Sequence, residues 1–229
     1  MIFLITHLFP KESIELISNY VVVIVLIISI LMTGCRRLET MVKLFAIQSF
    51  GIITIMLFAG SLNNNPSTYL FCGITFLGKC ILVPWILSFV LKKIRINREV
   101  ETYIGLPASM LLSCVLAALI FEIIPSIGIE KELQVLSSGL LKTSISIILI
   151  GLFIMMTRKK AFAQIMGLYV MENGIFALTV DTIFEMPQIV EMGVLLDILL
   201  GALVMGVWVY RIKQSFETIN VEELRKLKG

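Results

Sequence analysis

Four ionisable residues stand deep inside long apolar runs of this 229-residue chain: Lys79, Lys142, Glu172 and Asp197. Acids and amines placed together away from water can exchange a proton, hold an ion, or simply pair. Burial disfavours a charged carboxylate and a nearby ammonium favours it, so moving the lysine or admitting water loads or releases a proton. Their neighbours strengthen the pattern. Cys72, Thr75 and Lys79 share one helical face, and so do Gly139, Lys142, Thr143 and Ser146. Tyr169, Glu172 and Asn173 form a polar cluster flanked by Gly167 and Gly174. Gly193, Asp197 and Gly201 repeat every four residues, which puts the carboxylate in a groove that another helix can approach.

The elements that carry these groups are membrane helices. Apolar residues make up 58% of the chain and charged ones 15%, with a mean hydropathy of +0.99. A soluble domain has about a quarter of its residues charged, so the composition excludes a disordered chain, a nucleic-acid-binding domain and an ordinary soluble enzyme. A bilayer core about 30 Å thick needs roughly 20 apolar residues in helical form. Seven such stretches are predicted, at 15–34, 41–60, 68–91, 103–122, 135–156, 161–184 and 188–212. The expected fold is an all-α integral membrane protein.

The basic residues test this division. Arg36, Arg37, Lys92, Lys93, Arg95, Arg98, Arg158, Lys159, Lys160, Arg211, Lys213, Arg225, Lys226 and Lys228 fall in one set of alternate connections. The other set holds only Lys11 and Lys131. By the positive-inside rule the N-terminus lies outside and the C-terminus in the cytoplasm. Trp85 and Trp208, near the cytoplasmic ends of their spans, are expected as interface anchors, and Pro84 and Pro107 to kink or start helices.

Depth follows from a rise of 1.5 Å per residue. Lys79 and Glu172 each lie ~16 Å along their spans, Asp197 ~14 Å, and Lys142 ~10 Å from the outer face. An ionisable group at mid-bilayer costs about 2.5–3.5 kcal/mol on insertion scales, so each one requires a reason. The functional reason is a proton relay across neighbouring helices through Lys79, Lys142, Glu172 and Asp197. The bland one is that the two acids pair with the two lysines and fix helix packing without transport. Other chemistry has little material. Cys35, Cys72, Cys80 and Cys114 lie far apart and His7 is the lone histidine, so no metal or cofactor is expected on this chain. No phosphate-binding glycine motif occurs. Glycines crowd the last three spans, which should pack the more tightly for it.

Tyr169-Val170-Met171-Glu172-Asn173-Gly174, followed by Glu191-Met192-Gly193 and Asp197, resembles the E component of hydrogenase-4 and related formate hydrogenlyases. Lys79-Cys80-Ile81-Leu82-Val83-Pro84 and the closing Leu227-Lys228-Gly229 resemble the same family, and the likeness covers nearly the whole chain. It implies a non-catalytic membrane subunit of a group 4 energy-converting [NiFe] hydrogenase in a prokaryotic cytoplasmic membrane. The NiFe centre and Fe–S clusters would then lie in partner subunits, and antiporter-like membrane subunits would be neighbours in the bilayer. Residues 135–212 further resemble the K subunit of respiratory complex I and the C subunit of multisubunit Na⁺/H⁺ antiporters. That divides the chain into a four-helix part (1–134), a three-helix unit (135–212) and a short charged cytoplasmic tail (213–229). In the K subunit, carboxylates on the second and third helices of this unit belong to the proton path. By motif position Glu172 corresponds to the first. Asp197 corresponds to the second only approximately, being Asp rather than Glu at a shorter separation.

The expected role is therefore H⁺ translocation, with Na⁺ as the alternative ion, coupled to electron transfer elsewhere in a complex. A scaffold subunit of such a complex and a stand-alone secondary transporter are the competing classes. The second of these usually shows inverted repeats, which are not evident between the first four spans and the last three.

Overall fold

The computed structural model describes residues 11–63, 66–93, 100–127, 138–182 and 201. Within them the chain is helical, with one isolated β-bridge. Helix α1 spans Lys11–Thr33, α2 Leu38–Asn63 and α3 Pro66–Thr75. A π-helical stretch, Phe76–Leu82, joins α3 to α4 at Val83–Lys93. Then come α5 (Leu106–Ile127), α6 (Ser138–Thr157) and α7 (Ala161–Thr182). Five membrane-length apolar segments lie among the described residues, within α2, α3–π–α4, α5, α6 and α7, and a shorter one covers Ile17–Thr33 of α1. These six match the first six predicted spans. The seventh, 188–212, falls outside the described residues.

The faces are sorted as a lipid solvent requires. On α1, Ser18, Val22, Val25, Ser29 and Met32 recur every three or four residues and are buried, while Val23, Ile24 and Ile27 face outward. The outward faces of α4 and α5 are equally apolar, with Trp85 and Leu111 among the most exposed residues. Many of the polar residues in the spans point inward, Ser29, Gln48, Ser113 and Thr143 among them, while Asn19, Lys43 and Glu122 are exposed. Several buried hydroxyls donate to the carbonyl one turn back, as Ser29 does to Val25, Ser144 to Leu140 and Thr157 to Phe153. A helix can carry such groups in a membrane because its own backbone satisfies them.

Helix α2 occupies the middle, packed against α1, the π stretch, α4 and α7. Helices α6 and α7 form the tightest pair. A Cβ on Gly151 would lie 2.5 Å from the Met171 nitrogen, and one on Gly174 2.8 Å from the Ile148 nitrogen. Only glycine permits that approach, so here the glycine-rich half packs as expected. One apolar core runs through α1, α2, α6 and α7, from Val22 and Phe45 to Ile147 and Val170.

Pro84 and Pro107 each stand at the second position of a helix, as a helix-starting proline does, and in the third span a π-helical turn precedes Pro84. The Val83 N–H reaches back five residues to the Gly78 carbonyl. Proline has no N–H to donate and its ring crowds the carbonyl four residues earlier, so a widened turn just before Pro84 relieves both problems. Lys79 sits in the middle of that turn.

Three connections meet at one end of the bundle. The Val100 N–H bonds the Arg36 carbonyl at 2.7 Å, and the Lys159 N–H bonds the Glu101 carbonyl at 3.0 Å. Arg158, fully buried, donates through Nη2 to the Thr33 carbonyl at the end of α1. Burial lowers its basicity from the ordinary value, with Cys35 opposing, yet a guanidinium remains charged. The loops after the first, third and fifth spans thus share one end, as the charge alternation requires.

Candidate functional site

Lys79 and Glu172 meet. The lysine Nζ donates to Glu172 Oε1 at 2.8 Å, with side-chain exposures of 2% and 6%. Their sequence separation is 93 residues, so only the fold brings them together. The π stretch presents Lys79 on the same buried face as Cys72, Thr75 and Val83. On α7, Glu172 follows the buried Tyr169, whose ring centroid lies 5.3 Å from that of Phe45 on α2. The ammonium also stands 5.1 Å from the Phe176 ring centroid, a favourable cation–π distance.

Desolvating two charges is costly, and their attraction compensates only where geometry is good and further hydrogen bonds satisfy the remaining groups. On the lysine's side of the pair those further bonds are present. Lys79 Nζ also donates to Asn173 Oδ1 at 3.4 Å. Asn173 Nδ2 donates to Ser49 Oγ at 2.9 Å and to Gln48 Oε1 at 3.3 Å. Gln48 Nε2 then donates to Ser29 Oγ at 2.7 Å, and that hydroxyl donates to the Val25 carbonyl at 2.8 Å. One polar chain therefore crosses four elements: the π stretch, α7, α2 and α1. Its members Ser29, Gln48, Ser49 and Asn173 are all buried.

Sequence reasoning found Lys79, Glu172 and Asn173 but passed over Ser29, Gln48 and Ser49. Neutral polar residues carry no insertion cost large enough to stand out. The available signal was Gln48-Ser49, an amide and a hydroxyl side by side within the second apolar run.

Lys142 is placed differently. Helices α6 and α7 run antiparallel, with Gly151 beside Met171 and Ile148 beside Gly174. In that register Lys142, half-buried, lies about two turns, or ~12 Å, from the level of Glu172, beyond Ser144. Asp197 lies outside the described residues. No group of three or more His, Cys, Asp or Glu side chains that could hold a metal occurs among the described residues.

The pair can do one simple thing. Transfer of a proton from Nζ to Oε1 turns an ammonium–carboxylate pair into an amine–carboxylic acid pair with the same net charge.

Residues 140–229 match the family of NADH-ubiquinone/plastoquinone oxidoreductase chain 4L. The chain is 25% identical to hydrogenase-4 component E of Escherichia coli over 218 residues, covering 94% of this chain and 99% of the relative. The same values hold for the hydrogenase-4 component E of Shigella flexneri. An uncharacterized protein of Mycobacterium tuberculosis is 28% identical over 203 residues, 87% of this chain and 90% of that one. No solved structure gives a significant match.

Proposed function

We propose that this chain, a homologue of hydrogenase-4 component E with a chain 4L-type C-terminal part, is a membrane subunit of a respiratory-type complex of the group 4 [NiFe] hydrogenase kind. Its task there is to take part in moving H⁺ or Na⁺ through the bilayer while partner subunits carry out electron transfer. The NiFe centre and Fe–S clusters belong to those partners, and antiporter-like subunits are its neighbours in a prokaryotic cytoplasmic membrane. In this reading the N-terminus is outside, the C-terminus is cytoplasmic, and seven helices span.

The observation that carries the reading is the Lys79–Glu172 pair, buried between the π stretch and α7. Intramembrane charges in contact more often mark an ion path than a simple fastening. Loss of the ammonium's proton to Glu172, and its onward release, would be one step of such a path. Lys142 and Asp197 complete the proposed route.

A scaffold role is favoured by one feature of the same site, since the pair is held by amides as firmly as a fastening would be. Glu172→Gln separates the two. The assembled complex, purified and sealed in vesicles, should keep its subunit composition and lose at least tenfold in coupled ion uptake. Loss of assembly together with uptake would favour the scaffold. Normal uptake by an assembled E172Q complex would remove Glu172 from the path.

A further inference from the structure

The amide chain beside the ion pair has a direction, and the direction originates in a backbone carbonyl. The Val25 carbonyl can only accept a hydrogen bond. Ser29 Oγ spends its one proton on that carbonyl and so faces Gln48 as an acceptor. Gln48 must then turn Nε2 toward Ser29, which leaves Oε1 toward Asn173. Asn173 in turn presents Nδ2 to Gln48 and Ser49, and its remaining atom, Oδ1, faces the Lys79 ammonium. Reversing the Gln48 amide would set its Nε2 against Asn173 Nδ2, and reversing Asn173 as well would set a donor against the ammonium. Each arrangement leaves buried donors facing one another, a costly state in a low-dielectric interior.

We propose that Gln48 is the positioning residue of the Lys79–Glu172 pair: it locks the Asn173 amide with its oxygen toward Lys79 and so holds the lysine within reach of Glu172. The inference rests on the proposed ion-moving role of that pair. Gln48 touches neither charged group; it acts through Asn173. The same chemistry makes the branch a dead end for protons. Amide nitrogens do not readily give up and regain protons as hydroxyls and carboxyls do, so the chain from Asn173 to Ser29 orients the lysine without carrying its charge into α1.

The test uses the assembled complex in sealed vesicles, measuring coupled ion uptake and subunit composition for Gln48→Leu, Gln48→Glu and Glu172→Gln. Q48L removes Oε1 from Asn173 and should lower uptake at least tenfold with the complex intact. Q48E restores an oxygen of the same reach, and its acid form offers the acceptor and donor that the amide did. It should recover uptake to within about threefold of wild type, which a requirement for mere volume would not produce. Wild-type uptake in Q48L beside an inactive E172Q overturns the role of Gln48 alone, and so does Q48E as inactive as Q48L. Failure of Q48L to assemble while Q48E assembles and pumps supports the acceptor requirement; failure of both to assemble reduces Gln48 to a structural residue and overturns the inference. Wild-type uptake in E172Q ends the underlying reading and this inference with it.

Discussion

A lysine and a glutamate 2.8 Å apart in a buried setting cannot be valued one at a time. Removing one partner strands the other without its counter-charge, which costs about 3–5 kcal/mol in buried pairs, whereas replacing both with uncharged groups is often close to neutral. Lys79→Met should therefore lower the thermal unfolding midpoint of the assembled complex clearly more than Lys79→Met combined with Glu172→Gln. The double-mutant cycle read by thermal unfolding measures the coupling. Additive single effects would show that the contact contributes nothing to stability. Both lysine variants should be silent in ion uptake, so stability and transport part company at this site. At the same scale, the charged members of the site were legible in the sequence because charge inside an apolar run is costly and conspicuous. Their amide and hydroxyl partners were not, because Gln48 and Ser49 resemble any polar residue that a helix can satisfy by itself.

The helices were legible as apolar runs of spanning length, and their boundaries agree with the described elements to within a few residues. What the runs could not reveal was how closely two helices approach, or that the third span would widen before Pro84. The α6–α7 contact gives a direct test. A methyl at Gly151 would collide with the Met171 backbone, which cannot move aside cheaply, so Gly151→Ala should destabilise by about 1–3 kcal/mol, as overpacking does. Gly73→Ala is the control: nothing lies within 4 Å of its added Cβ, and alanine favours a helix over glycine. Thermal unfolding in detergent should separate the two variants. Equal midpoints would mean that α6 and α7 are not in close contact. Because the α6–α7 contact holds Glu172 at its depth, Gly151→Ala should also weaken coupled uptake, whereas Gly73→Ala should not.

Across the whole molecule, three basic loops gather at one end and are tied by backbone hydrogen bonds. Placing that end in the cytoplasm makes a sidedness prediction at Cys35, which is partly exposed in the first of these loops. In a variant keeping only this cysteine, a membrane-impermeant maleimide should label inverted vesicles and spare right-side-out ones. The reverse pattern would turn the topology over. Burial pushes the Cys35 thiol above its ordinary value, and the Arg158 guanidinium only partly offsets this. The reactive thiolate is then a small fraction at neutral pH, and the labelling rate should rise about tenfold per pH unit from 7 to 8. A rate already level across that range would contradict the burial of the thiol.

Membrane residence, the positions of the first six spans and the grouping of the basic loops at one end followed from composition and order alone, because the cost of burying charge in lipid acts locally on each stretch of chain. So did the choice of Lys79 and Glu172 as groups needing an explanation. Tertiary structure alone decided that Glu172 meets Lys79 and that an amide chain begun at the Val25 carbonyl orients the pair. Those outcomes depend on helix rotation and register between segments far apart in sequence. Hydrophobicity, being nearly the same all round a membrane helix, says little about either.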